Sequence, residues 1–498
     1  MNDALLHLII FLPLAGAVLV WLAPSRPGTS RALAALVSGV VLVLSLVLFV
    51  GFNRATVGAF QFETNVPWIP AIGANYHVGV DGISMPLVLL NALLTFLAVL
   101  VSWNLTLRPK EYFALVLVLE TAVTGVFTAL DFFLFFLFWE LELAPMFLLI
   151  GVWGGPRREY AAMKFLIYTV LGGAFMLVGI LVLYLGAGVG TFDMVALGGV
   201  SYPLAFQVAT FILLAVAFAV KIPIFPFHTW LPDAHVEAPT AISVLLAGVL
   251  LKMGGYGLIR VCVTVLPAAA VYLAGVLAVL AVINILYGAL VALAQNDLKK
   301  IIANSSISHM GFVVLGISAL TQVGFEGAVL QMFTHGTITG LLFMMVGLVY
   351  DRTHTRDVWA MGGLAKQLPK IATVFVVAGL ASLGLPGLSG FVAEFLVFIG
   401  SFSARDPAWV PITVLATLGI LLSAGYILWL LERVFYGPMS DHWRSLTDAT
   451  PLEMFTIGTL VAVIVLVGVY PNVVLDVIAN GVTPVYQRVA PLVAQMPS

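Results

Sequence analysis

The chain reads as an all-α polytopic membrane protein of about fourteen transmembrane helices, with two inverted five-helix repeats that each contain a broken helix. Three observations predict this. Of the 498 residues, 62% are hydrophobic and only 9% are charged, whereas a soluble domain carries about 25% charged residues and needs them to face water. Apolar runs of about 20 residues, the length a spanning helix requires, recur along the chain. The basic residues also alternate between loops. With the N-terminus outside, fifteen Lys and Arg (among them Arg26, Arg31, Lys299 and Arg356) fall in cytoplasmic loops. Four (Arg54, Arg260, Arg405 and Arg488) fall outside, and two lie within spans. Membrane proteins place their excess of Lys and Arg inside.

The spans are expected near 4–24, 31–52, 83–104, 112–130, 132–153, 163–187, 204–225, 239–262, 268–292, 301–320, 327–350, 371–401, 410–431 and 454–478, and are numbered in that order. Residues 1–110 hold helices 1–3. MNDALLHL has no Lys or Arg before its apolar run, and a secretory signal needs a basic start, so residues 4–24 read as a retained span. Residues 52–82, with Pro67 and Pro70 flanking Trp68, read as an external loop. Residues 111–265 form the first repeat (helices 4–8), 266–440 the inverted second (helices 9–13), and 441–498 helix 14 and a tail.

Away from the span edges, six charges stand out: Glu120, Glu140, Glu142, Lys221, Lys252 and Glu394. Each costs about 2.5–3.5 kcal/mol near the bilayer centre. Unpaired, six would cost on the order of 15–20 kcal/mol, more than the roughly 5–15 kcal/mol that holds a domain together. They must face the protein interior and pair or meet water. Mixed signs spread over five helices suit a path for ions or protons better than structural ion pairs. Lysine suits such a path because burial and a nearby carboxylate shift its proton affinity in opposite directions. A swing of about three pK units is worth roughly 4 kcal/mol, close to the 3.5–4.6 kcal/mol of moving one charge across about 150–200 mV.

Glu140 and Glu142 lie two residues apart, about 200° around a helix, so both cannot face one partner. Glu140, after FLFFLFW, is expected to be the functional one, and Glu142 is left to a neighbouring unit. Pro223 and Pro226 follow Lys221 and free the carbonyls of Ala219 and Ile222. Open backbone inside a membrane is tolerated only against protein or a wet cavity, so helix 7 is expected to break at Lys221. Gly384, Pro386, Gly387 and Gly390 predict a second break in helix 12, ahead of Glu394. Paired broken helices in inverted repeats point to a transport site. His309 and His335, on adjacent spans beside hydroxyls, are relay candidates because histidine titrates near neutrality. His228 and His235 are expected at the rim, Asp233 as a cap for the resuming helix, and Asp131 as a turn residue.

Several classes are excluded. The net charge of -2 gives no nucleic-acid signal. The single Cys262 allows no disulfide or cysteine-held cluster, and no metal site is expected. No GxGxxG after a strand and no Walker motif occurs.

Five strings carry a resemblance: FWE (138–140), VKIPIFPFHTWLPDAHVEAPT (220–240), LLAGVLLKMGGYGLIR (245–260), DLKKIIANSSISHMGF (297–312) and LGLPGLSGFVAEF (383–395). Over roughly residues 80–435 the chain resembles the antiporter-like membrane subunits of respiratory complex I, a family that includes Mrp-type sodium/proton antiporter subunits. L- and N-type chains of that family place a lysine in the second broken helix. Glu394 there resembles the M-type branch. The resemblance implies a proton-translocating subunit of NADH:quinone oxidoreductase, with FMN, iron–sulfur clusters and quinone held by other subunits. Its partners would be the other membrane subunits, especially L- and N-type chains. Its place would be a bacterial plasma membrane rather than a mitochondrial one. By the same resemblance Glu140 pairs with Lys221, Lys252 links two half-channels, Glu394 is the exit carboxylate, His309 and His335 are relays, and Glu120 is less central. Glu142 departs from the pattern. The alternative implied is a subunit of an Mrp-type sodium/proton antiporter.

Overall fold

The computed structural model describes residues 3–24, 27–439 and 441–495. Arg26 lies outside the described residues. Thirteen helices among them are long and apolar enough to cross a membrane: Ala4–Leu22, Gly28–Gly51, Ser84–Val101, Pro109–Thr128, Phe132–Trp153, Arg158–Ala187, Leu204–Lys221, Thr240–Val263, Pro267–Leu293, Leu298–Ser318, Gln322–Thr353, Trp409–Phe435 and Pro451–Val469. Two short helices, Pro369–Ser382 and Ser389–Phe402, together supply the expected helix 12.

Burial sorts these helices into layers. The most apolar windows of helices 8, 10 and 11 are wholly buried, whereas those of helices 1, 2, 6 and 13 are 39% buried. Helices 8, 10 and 11 therefore form the inner layer, and the others shield it and present apolar side chains outward. The sequence accounts for the order. Helices 10 and 11 carry the Ser, Thr, Asn and His that lipid would not tolerate, and helices 1, 2 and 13 are mostly Leu, Val, Ile and Ala.

Local chemistry sets the helix ends. Pro109, Pro267, Pro369 and Pro451 stand in the first turn of their helices, where a missing N–H costs nothing. Thr450 and Glu453 form a reciprocal capping box. Asp131 accepts hydrogen bonds from the Phe133 and Leu134 N–H groups, so it caps helix 5 as well as turning the chain.

The two halves repeat at the level of single hydrogen bonds. Asp131 caps helix 5 and forms an isolated antiparallel bridge with Asp193; Asp297 caps helix 10 and bridges Asp357 in the same way. In the first half, Phe132 N–H donates to Phe192 O and Met194 N–H to Leu130 O, both at 2.8 Å. In the second, Leu298 N–H donates to Arg356 O and Val358 N–H to Asn296 O, both at 2.9 Å. The helix breaks match as well. Ile222→Phe218, Ile224→Ala219 and Phe227→Ile224 in helix 7 correspond to Leu383→Gly379, Leu385→Leu380 and Leu388→Leu385 in helix 12, at one constant offset. Composition alone shows no such residue-by-residue repeat.

Two regions differ from expectation. The stretch expected as a loop holds an antiparallel hairpin of β1 (Gln61–Ile69) and β2 (Ala74–Val80). Its turn needs Gly73, which has a φ of 67° and against which Gly190 O packs where a Cβ would stand. The expected tail holds a further helix, Asn472–Ala494, with Pro484 and Pro491 inside it. It is tied to the hairpin end of the molecule, where Asn480 donates to Arg54 O and Thr56 O.

Candidate functional site

Helix 7 stops at Lys221, as the prolines predict, and the opened backbone is re-satisfied one group at a time. Ile224 N–H donates to Ala219 O at 2.8 Å, and Trp230 Nε1 donates to Val220 O at 2.9 Å. Asn284 of helix 9 spans the gap: its Oδ1 accepts from Phe225 N–H at 2.7 Å, and its Nδ2 donates to Pro223 O at 3.0 Å. Pro226 follows directly. Lys221 occupies the last helical turn, where the helix dipole favours a cation.

The partner of Lys221 is Glu142, not Glu140. Lys221 Nζ donates to Glu142 Oε1, and both side chains are buried. Helix 5 loses its hydrogen-bond continuity at Glu142, between Phe132–Leu141 and Leu143–Trp153, because Pro145 cannot donate to the carbonyl of Leu141. Glu140 stays within electrostatic reach of both Lys221 and Glu142. Its Oε1 is buried without a hydrogen-bond partner and packs against Gly173, where any Cβ would overlap it. The rings of Trp139 and Phe165 sit 5.5 and 5.6 Å from Lys221 Nζ.

A second cluster lies across the inner layer. Lys252 stands between two π-helical segments of helix 8, Leu246–Leu250 and Leu258–Val263; such bulges are frequent at functional sites. The Leu251 N–H reaches back to Leu246 O, and the Ala247 carbonyl receives Lys252 Nζ. Lys252 Nζ also lies 2.7 Å from His335 Nδ1. The His335 and His309 rings are 5.6 Å apart. His309 Nδ1 is 3.1 Å from Glu394 Oε1, and its Nε2 is 3.2 Å from Ser382 Oγ and 3.5 Å from Tyr426 OH. A cavity of about 10 Å³ opens among His309, Gln331, His335, Ser382 and Glu394, room for about one water.

Lys252, His335, His309 and Glu394 thus form one connected row, with Glu394 held beyond the second break. That break needs its glycines. Gly384 has a φ of 79°, and a Cβ on Gly390 would collide with Ala381 O. Pro386 sits in the turn between the half-helices. Glu120 does not join the row. It is buried in helix 4 with both carboxylate oxygens unpartnered, and Asn91 binds its backbone carbonyl. Among the described residues no hydrogen bond joins the Lys221 cluster to the Lys252 row, and helices 7 and 8 pack tightly between them at Gly254.

The rim histidines need correction. His235 is fully buried, stacked on Phe343 at 4.6 Å, with both ring nitrogens unpartnered. Three residues on, the Ala238 carbonyl accepts from Lys299 Nζ at 2.5 Å. His228 is also buried, 3.4 Å from Tyr287 OH. Asp233 caps nothing; it accepts from Lys164 at 2.7 Å. Sequence reasoning also missed Asn284, whose signal was a lone amide in the apolar run AVINILYG, and Arg260. Arg260 was expected in an outside loop; it is buried and pairs with Asp81 at 2.5 Å.

At the hairpin end, His77 of β2 lies between Glu63 Oε1 (2.7 Å) and Asp193 Oδ2 (2.6 Å). Burial opposes its protonation, but the hydrogen bonds and charges of Asp193 and Glu63 outweigh it and raise the imidazole above its ordinary value.

Known proteins resemble this chain in sequence and fold. The family described as NADH:quinone oxidoreductase/Mrp antiporter, TM matches residues 129–420. An NAD(P)H-quinone oxidoreductase chain 4 of Synechococcus sp. is 49% identical over 425 residues, 83% of this chain and 80% of the relative. A chain of respiratory complex I from Thermus thermophilus superposes with a TM-score of 0.88 at 31% identity, over 97% of this chain and 99% of that one. A chain of the Mrp complex from Dietzia superposes at 0.87 with 20% identity, over 99% and 98%; this shows the shared fold.

Proposed function

The chain belongs to the NADH:quinone oxidoreductase/Mrp antiporter membrane family, and on that premise we propose that it is a proton-translocating membrane subunit of a complex I-type quinone oxidoreductase. It is a multi-pass membrane protein, and its relatives are chains of a bacterial oxidoreductase complex. The observation that carries the transport reading is the buried row Lys252–His335–His309–Glu394, bracketed by two helix breaks.

The geometry supports handing on a proton. An ammonium and an imidazolium 2.7 Å apart would repel, so Lys252 and His335 hold one proton between them. His335 faces His309 across a water-sized cavity, and His309 meets the Glu394 carboxylate. Each neighbour can accept what the previous one releases, and helices 8, 10 and 11 keep the route away from lipid. Glu142–Lys221 supplies a separate charge pair at the first break, and His235 extends the row toward Lys299. The basic-loop end would face the cytoplasm and the hairpin end the outside.

Electron transfer belongs to other subunits in this reading. FMN, iron–sulfur clusters and quinone would sit there, and redox energy would arrive through neighbouring membrane chains, L-type and N-type among them. The test is Lys252→Ala in the assembled complex, with proton release measured alongside quinone reduction. Intact assembly with proton release lost supports the reading; normal proton release removes it. The Mrp-like fold keeps a sodium/proton antiporter subunit as the second reading. Sodium flux from an assembly lacking flavin and iron–sulfur clusters would establish that one instead.

A further inference from the structure

The inverted repeat assigns Glu394 a counterpart, and we propose that it is Asp233: paired with Lys164, Asp233 takes up protons from the cytoplasmic side for the first repeat. This rests on the proton-translocating reading above.

Register carries the assignment. The three hydrogen bonds that shape the first break recur at the second 161 residues on, Leu383 standing for Ile222 and Leu388 for Phe227. The same offset sets Glu394 on Asp233, each in the half-helix that resumes beyond its break, Ser389–Phe402 and Trp230–Glu237. Inverted repeats turn equivalent groups toward opposite membrane faces. Helix 12 starts at the end that carries Lys366 and Lys370, so Glu394, beyond its break, faces outward and Asp233 faces the basic loops. The entrance to each half-helix matches as well. His228 and Ser389 are equivalent by the same offset; both are buried, and His228 Nδ1 and Ser389 Oγ both lack a partner.

The surroundings of Asp233 suit uptake from water. Its carboxylate accepts from Lys164 Nζ at 2.7 Å, and the two side chains are 25% and 21% exposed, against 5% for Glu394. Arg157, 3.9 Å from Asp233 Oδ1, and Tyr160, whose ring is 5.7 Å from Lys164 Nζ, line an open cleft of about 580 Å³. On the inner side, Phe165 follows Lys164 on helix 6. Its ring lies 5.6 Å from Lys221 Nζ and 5.4 Å from the Trp230 ring, so a short stretch of helix 6 joins the exposed pair to the buried lysine. The Asp233 carboxylate takes a proton from hydronium in the cleft, releasing water, and yields it inward, where His228 Nδ1 is an open buried acceptor. Lys164 keeps its own proton and positions the carboxylate. Asp233 is open to water while Glu394 is closed, as access from one side at a time requires.

The test uses the assembled complex in inside-out vesicles, whose outward surface is the cytoplasmic face. Asp233→Asn should assemble and take up fewer protons per quinone reduced, and formate added to the outward face should restore the loss. Formate confined to the lumen should not. Lys164→Met breaks the same ion pair but keeps the carboxylate, so it should retain uptake. Normal uptake in Asp233→Asn overturns the proposal. Equal loss in both variants without rescue by formate also overturns it, since the pair would then be a brace between helices. Should Asp233→Asn fail to assemble, Lys164→Cys decides. A membrane-impermeant thiol reagent at the cytoplasmic face should label the new thiol and block uptake, with the wild type as control because Cys262 is buried; no labelling, or uptake unchanged after it, overturns the proposal. The two failures are separable. Normal proton release in Lys252→Ala removes the transport reading, whereas loss there with normal uptake in Asp233→Asn removes only this inference.

Discussion

Asn284 should be the most sensitive neutral residue at the first helix break. Its side chain is fully buried and holds both open groups of the break, the Phe225 N–H at 2.7 Å and the Pro223 carbonyl at 3.0 Å. Asn284→Ala leaves both without their partner. Each orphaned buried group costs about 1–3 kcal/mol, so the substitution should cost about 2–6 kcal/mol, with the upper part favoured because no water is at hand inside a membrane. Asn284→Asp keeps an acceptor for Phe225 but sets a carboxylate against the Pro223 carbonyl, and an unpaired charge there costs about 2.5–3.5 kcal/mol, so it should also fall below wild type. The assay is an SDS-titration unfolding midpoint on the purified complex, read with proton release from the same preparation. Both variants are expected below wild type in both. An alanine variant with the wild-type midpoint and full proton release would refute the reasoning, because the break would then be closed by something other than Asn284.

Three further outcomes are expected. Gly173→Ala places a Cβ on Glu140 Oε1 and should cut proton release, with an overpacking cost of about 1–3 kcal/mol; Gly458→Ala, with nothing within 4 Å of the added atom, should change neither stability nor transport. Gly390→Ala drives a Cβ into Ala381 O at the second break and should lower assembly or transport, as measured by complex yield and proton release. His77 is raised above its ordinary value of 6.5 by its two acidic partners, against burial. Its hold on the hairpin should therefore be complete below pH 6.5 and weaken as pH rises through the raised value. Hydrogen exchange of the β1–β2 amides should show that pH dependence, and His77→Gln should abolish it.

The membrane fold was legible because lipid leaves so few choices. A run of apolar residues in a chain short of charge has to be a helix, and the fourteen crossings follow from run length and the alternation of basic loops. The breaks were legible from Pro223, Pro226 and the Gly384–Gly390 stretch, since backbone that cannot donate or that needs a left-handed φ stands out in an apolar run. What escaped depended on three-dimensional detail. The 200° spacing of Glu140 and Glu142 suggested that only one could face Lys221 and FLFFLFW pointed to Glu140, whereas Lys221 bonds Glu142 and keeps Glu140 within reach. The prolines before His235 suggested a rim, yet the chain turns back inward and seats the imidazole on Phe343. Asn284 looked like one polar residue in a membrane helix, and only the geometry of the opposing break shows what its amide holds. The β1–β2 hairpin and the Asn472–Ala494 helix mix polar and apolar residues, and there hydropathy weakens as a guide.

The most direct measurement is the proton-to-electron ratio of the complex in sealed vesicles with Lys252→Met, which keeps the length of the side chain and removes its charge. If protons pass along Lys252, His335, His309 and Glu394, the complex should assemble and the ratio should fall. A ratio equal to that of the wild type would contradict the account.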